Sequence, residues 1–133
     1  LTGRVSSNNI PIKRKDEEVL LYDLTKLAGM LGNNQELVSK MVQSFLKHTP
    51  PLLDDLFNAS GKKDWNQVSK ICHRLKASYK TMSIHSLANP IHLLEIEIMK
   101  LPDSDKKTYL ESIKKVSDKV FKSLESEGFH NLE

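Results

Sequence analysis

Apolar residues recur at helical intervals along most of the chain, and no stretch shows an alternating, β-branched strand pattern. The clearest run is Trp65, Val68, Cys72, Leu75, Tyr79 and Met82, spaced by 3, 4, 3, 4 and 3 residues. That spacing places them on one stripe and predicts an amphipathic helix. Asp64 precedes the run as an N-cap, with Gln67 at the third helical position. Before it, Leu37, Met41, Phe45, Leu52 and Leu56 share a face of a long helix. Asn33 and Glu36 have the spacing of a capping box for that helix, and Gly61 ends it. Pro50 and Pro51 predict a kink or a restart near Thr49, because proline lacks a backbone donor and clashes with the preceding turn. A further helix carries Leu87, Ile91, Leu94 and Ile98, with Pro90 expected to bend its first turn. "LPDSD" reads as a stop and a new cap, followed by a helix carrying Tyr109, Ile113, Val116, Val120 and Leu124. A short helix from the Asp23 cap to Leu31, stopped by Gly32, precedes them all.

Four long amphipathic segments joined by short polar turns predict an all-α fold, an antiparallel four-helix bundle with a short extra N-terminal helix. Residues 1–18 lack periodicity, and "SSNN" with "KRKDEE" reads as a linker or arm. The bundle is expected over 19–127 and a frayed tail over 128–133.

The 133 residues suit one core, and 38% hydrophobic with 28% charged residues suit a globular domain. No apolar run approaches the roughly 20 residues of a membrane span, and the first residues lack an apolar signal core. The single cysteine, Cys72, excludes an intrachain disulfide, so a reducing, cytoplasmic setting is expected. A start at Leu1 suggests a fragment of a longer protein. The net charge of +3 is too modest to argue for nucleic-acid binding.

The candidate chemistry lies in "ICHRLKASYKT", from Ile71 to Thr81. His73 follows the buried stripe by one residue, about 100° further around the helix, and so is expected to face solvent. Its own face holds Ser69, Lys76, Ala77 and Lys80. Ala77 is small, which leaves room for a large partner to reach the ring. Arg74, Lys76 and Lys80 favour an approaching anion such as a phosphoryl group and disfavour a second positive charge on the imidazole. No acid, nucleophile or metal-ligand partner stands near His73 at a familiar spacing. Geometry alone leaves it between a functional imidazole and a solvated helical histidine.

"HRLKAS" resembles the H-x-L-K-G/A-S motif of histidine-containing phosphotransfer (HPt) domains. Upstream, "ELVSKMVQSFLKHTPPLLDDL" is similar to the family's long helix, and "DWNQVSKICHRLK" to its D-W…A-H-x-L-K helix. Downstream, "MSIHSLANPIHLLE" is similar to its G-x-x-x-L…L-E segment. The resemblance spans roughly Asp23 to Leu124. It implies a phosphorelay carrier, not an enzyme. His73 is the implied phosphoacceptor, charged by an aspartyl phosphate of one receiver domain and discharged to another receiver's aspartate. It implies that Lys76 offsets phosphoryl charge, that Ala77 gives access, and that Ser78 orients the site or caps backbone groups. It also implies no cofactor of its own, with Mg²⁺ supplied by the partner receiver. The expected protein is a monomer with receiver partners, no nucleic acid and no direct membrane contact, a module of a hybrid sensor kinase whose parent can be membrane-anchored. The alternative is a helical docking module that binds a protein without phosphorylation.

Departures from the pattern are Tyr79, expected to pack in the core, and Ser83, which stands for a glycine and is expected to cap the next helix. His85 and His92 lie seven apart without a third ligand, too few for zinc. They read as a turn residue and a surface residue, His48 as a helix-end residue and His130 as part of the tail. Cys72 and Trp65 read as packing, and Asp54 with Asp55 as a solvated face.

Overall fold

The computed structural model describes residues 20–129. Five α-helices succeed one another: α1 Leu24–Met30, α2 Gln35–Gly61, α3 Trp65–Thr81, α4 Ala88–Ile96 and α5 Asp103–Ser126. One-turn 3-10 segments, His85–Leu87 and Ile98–Lys100, flank α4, and no strand occurs among the described residues. The expected arm over 1–18 and His130 lie outside the described residues.

Two of the predicted caps form. Asp23 accepts from the amides of Thr25 and Lys26, and Asp64 accepts from Gln67 N at 3.2 Å. The capping box at Asn33 does not. Gly32 and Asn33 both take the left-handed conformation, at φ 66° and 58°, to turn the chain out of α1. Asparagine tolerates that region. The cap therefore falls one residue later, on Asn34, whose Oδ1 accepts from Leu37 N at 3.2 Å.

Pro50 and Pro51 sit inside an uninterrupted α2, so the expected restart is absent. Neither proline can donate to the carbonyl four residues back. The helix survives because both halves are anchored in one core, Val38 and Val42 before the prolines and Leu53 and Leu56 after them. The buried face of α2 is also rotated from the expected one. Val38, Val42, Phe45, Leu46, Leu53 and Leu56 are buried, while Leu37 and Met41 are exposed and Leu52 is half-buried.

The α3 stripe is buried as the spacing predicts, from Val68 through Cys72, Leu75 and Tyr79 to Met82, with Trp65 half-buried at its end. Fully burying each Leu or Ile of this core contributes about 1.5–3 kcal/mol. α3 packs against α2 on one flank and α4 on the other. Phe45 of α2 stands 5.7 Å from the Tyr79 ring and 5.8 Å from Phe121 of α5. The Tyr79 hydroxyl is satisfied by Ser117 Oγ of α5 at 2.6 Å, and burial pushes its pKa up to about 12.

Helix α4 is shorter than the pattern suggested. Leu87 and Ile98 are buried with Ile91 and Leu94, but they lie in the flanking 3-10 turns. Pro90 falls in the first turn of α4, where its missing N–H removes no intrahelical bond. α5 begins at Asp103 after Pro102, with no side-chain cap. Phe129, expected in a frayed tail, instead packs against the core, and its N–H reaches the Leu124 carbonyl at 3.0 Å; residues 130–133 lie outside the described residues. At the other end Tyr22 is half-buried and its hydroxyl bonds Ser123 and Glu127.

Ser83 does not cap the next helix. It takes φ 59°, the conformation glycine would adopt freely, and its buried hydroxyl has no partner.

Candidate functional site

With its stripe buried, α3 turns His73, Arg74, Lys76, Ala77 and Lys80 outward. The His73 side chain is 71% exposed. The packing of α4 along this helix brings up a group that the local sequence does not show. Glu95, near the end of α4, is only 10% exposed, and its Oε2 lies 2.5 Å from His73 Nδ1. Its Oε1 lies 2.7 Å from Lys76 Nζ. That oxygen is sealed from solvent and lacks a well-aligned hydrogen bond, so the Lys76 contact is best described as an ion pair. Ser69 Oγ donates to the Glu95 backbone carbonyl at 2.5 Å, which ties the acid's main chain to α3 as well.

The ammonium of Lys76 is the main influence holding the Glu95 carboxyl below its usual value. Burial acts against it, and the bond to His73 adds to the lowering. An ionised carboxylate can only accept hydrogen bonds, so Nδ1 of His73 carries the proton in this pair. In the neutral ring the lone pair is then on Nε2. The sequence reading missed Glu95 because it stands 22 residues from His73. The available signal was the acid that closes "HLLE", which belongs to the family-like segment but was given no role.

The other flank of α3 is mixed in character. A groove of about 370 Å³ runs between α2 and α3, lined by Met41, His48, Leu52, Arg74, Ala77 and Ser78 among others. Ala77 is exposed and adds no bulk to it. Ser78 is half-buried and its hydroxyl donates to the Leu75 carbonyl at 3.2 Å, a bond within its own helix. His48 is not at a helix end. It lies well inside α2, where its Nδ1 donates to the Ser44 carbonyl at 2.9 Å.

Burial pushes the Cys72 thiol up to about 12, which suits packing and not reactivity. Trp65 receives Lys106 Nζ 4.5 Å from its ring centroid. His85 lies in the 3-10 turn and His92 on α4, both exposed, and Asp54 and Asp55 are exposed on α2. Among the described residues no group of three or more His, Cys, Asp or Glu could hold a metal ion. No family model, curated protein or solved structure matches the chain, so the reading of the site rests on its geometry and on the sequence resemblance.

Proposed function

We propose that this chain is a histidine phosphotransfer domain of the antiparallel four-helix-bundle kind, and that His73 carries a phosphoryl group between receiver-domain aspartates. The observation that carries the reading is the His73–Glu95 pair. It leaves an exposed imidazole whose Nδ1 faces an ionised carboxylate, so that in the neutral ring the reactive lone pair falls on Nε2.

In the forward step the Nε2 lone pair attacks the phosphorus of an aspartyl phosphate. The N–P bond forms as the P–O bond to the aspartate breaks, and the electron pair leaves with the aspartate carboxylate. The ring keeps its Nδ1 proton, and the positive charge that develops there is stabilised by Glu95. The reverse step delivers the phosphoryl group to another carboxylate. Such transfer depends mainly on positioning and charge stabilisation. Lys76, 44% exposed and three residues on from His73 on the same helix, is the cation we assign to offsetting phosphoryl charge.

The receiver supplies the acidic pocket and the Mg²⁺, and this chain acts as a carrier without a cofactor or nucleotide site of its own. The α2–α3 groove beside Ala77, with exposed Leu37 and Met41 on α2, is the face we assign to receiver docking. We place the domain in the cytoplasm as a monomer; no helix among the described residues is long and apolar enough to cross a membrane.

The test is labelled-phosphate transfer from a phosphorylated cognate receiver. Wild-type protein should take up label that is lost in acid and kept in base. His73→Gln should take up none, with the fold kept and stability lowered by no more than about 1–2 kcal/mol, the scale of the one bond to Glu95 that it alters. Equal labelling of His73→Gln overturns the assignment. Receiver binding without labelling of the wild type favours the docking-module alternative.

A further inference from the structure

A second concave surface lies between the C-terminal half of α3 and the start of α4. It encloses about 510 Å³, within the roughly 300–1,000 Å³ typical of small-molecule sites. Its apolar part comes from Tyr79, Ile84, Ala88 and Ile91. Its polar lining comes from Lys76, Lys80, His85, Asn89 and His92, and no carboxylate lines it. Lys76 is engaged by Glu95, but Lys80, His85 and His92 have no ion-pair or hydrogen-bond partner among the described residues. One lysine, two imidazoles and an amide therefore surround an apolar surface with no internal countercharge.

From this arrangement we propose that the α3–α4 groove binds a small amphipathic organic anion. The apolar body lies on Ile84, Ala88 and Ile91, and the carboxylate or comparable head meets Lys80 and the imidazoles of His85 and His92. Charge complementarity selects the head group. The limited volume selects a single chain or ring system over a protein segment. The site does not depend on the function proposed for His73. Its one link to that site is Lys76, which lines the groove and pairs with Glu95.

Calorimetric titration of the full chain with decanoate and, separately, with decanol tests the proposal. Decanoate should bind saturably at one site, with a Kd below about 1 mM, the millimolar affinity of a weak but specific ligand. Decanol should bind at least about tenfold more weakly, the difference expected for losing a charge-assisted hydrogen bond. Ala88→Trp fills the groove from an exposed position, and Lys80→Gln with His92→Gln removes the head-group donors. Either variant should lose decanoate binding about tenfold or more while keeping the wild-type circular dichroism and melting. Lys47→Gln, away from the groove, should bind as the wild type does. Amide shifts on titration should concentrate from Lys76 to His92. Absence of saturable decanoate binding, equal binding of decanol, or unchanged binding by the folded Ala88→Trp variant overturns the proposal.

Discussion

Around His73 and Ala77, the two flanks of α3 differ in what they hold fixed. Toward α4 the helix meets a polar cluster, in which Glu95 touches His73 and Lys76 and Ser69 holds its carbonyl. Toward α2 it borders an open groove in which Met41, Leu52 and Ala77 stand beside His48, Arg74 and Ser78. The contact with α4 fixes the state of one ring nitrogen, and the groove toward α2 offers area without fixing any proton. A helix can serve both ends because successive residues lie about 100° apart, so His73 and Ala77 share an exposed strip while their neighbours diverge. Chemistry and docking should therefore be separable by mutation.

The largest separation is expected at Glu95. Glu95→Ala leaves Nδ1 without its acceptor and frees the ring to rotate or change tautomer. Transfer through His73 should fall about 10–100-fold, as when partners that orient a histidine are removed, while receiver affinity stays near wild type. Stopped-flow or gel-based phosphotransfer with a parallel binding titration checks both. An equal loss of affinity would break the comparison. The same residue gives a pH signature. Its carboxyl is held below the ordinary 4.5 in the folded protein, so its contribution to stability is present above that pH. It is lost as pH falls from 4.5 through the folded value. The difference in Tm between wild type and Glu95→Gln should narrow below that point, and a difference that widens there would reverse the sign assigned to this pair.

Ala77→Leu attacks the other flank. The added bulk should slow transfer by about tenfold or less and weaken receiver binding in step, with little change in folding, because the site is exposed and leucine is a good helix former. An unchanged rate would mean that the partner does not approach over Ala77. Lys76→Ala should cost less, several-fold in rate, since a partly exposed cation assists transfer without reacting.

The smallest functional effect is expected at Ser83, which belongs to neither flank. Ser83→Gly removes a left-handed serine and a buried, unpartnered hydroxyl. Unfolding in urea should show a gain of about 1 kcal/mol after glycine's greater unfolded-state entropy is subtracted, with transfer unchanged.

Much of this could be read along the chain, and the exceptions have a common cause. Helical periodicity is a local property, so the stripe from Val68 to Met82 and the exposure of His73 follow from spacing alone. The caps at Asp23 and Asp64 are equally local, each satisfied within three residues. The errors came where a local rule met a distant contact. Pro50 and Pro51 weaken the helix locally, yet α2 runs through them because both halves bury side chains in one core. Leu37 and Val38 are both apolar, and only the packing of the other helices decides that Val38 is the one covered. A serine before a helix suggests a cap, but the left-handed backbone of Ser83 does not allow that role.

Glu95 shows the same division most clearly. The amino-acid sequence by itself determined an all-helical chain and an outward histidine among lysines on a helix with a buried opposite face. It held no local sign of an acid for that histidine, because 22 residues and a turn separate them. Only the packing of α4 against α3 brings a largely buried carboxylate within 2.5 Å of Nδ1. A hydrogen bond depends on separation in space, and periodicity along one helix carries no information about which residue of the next helix will lie across from it.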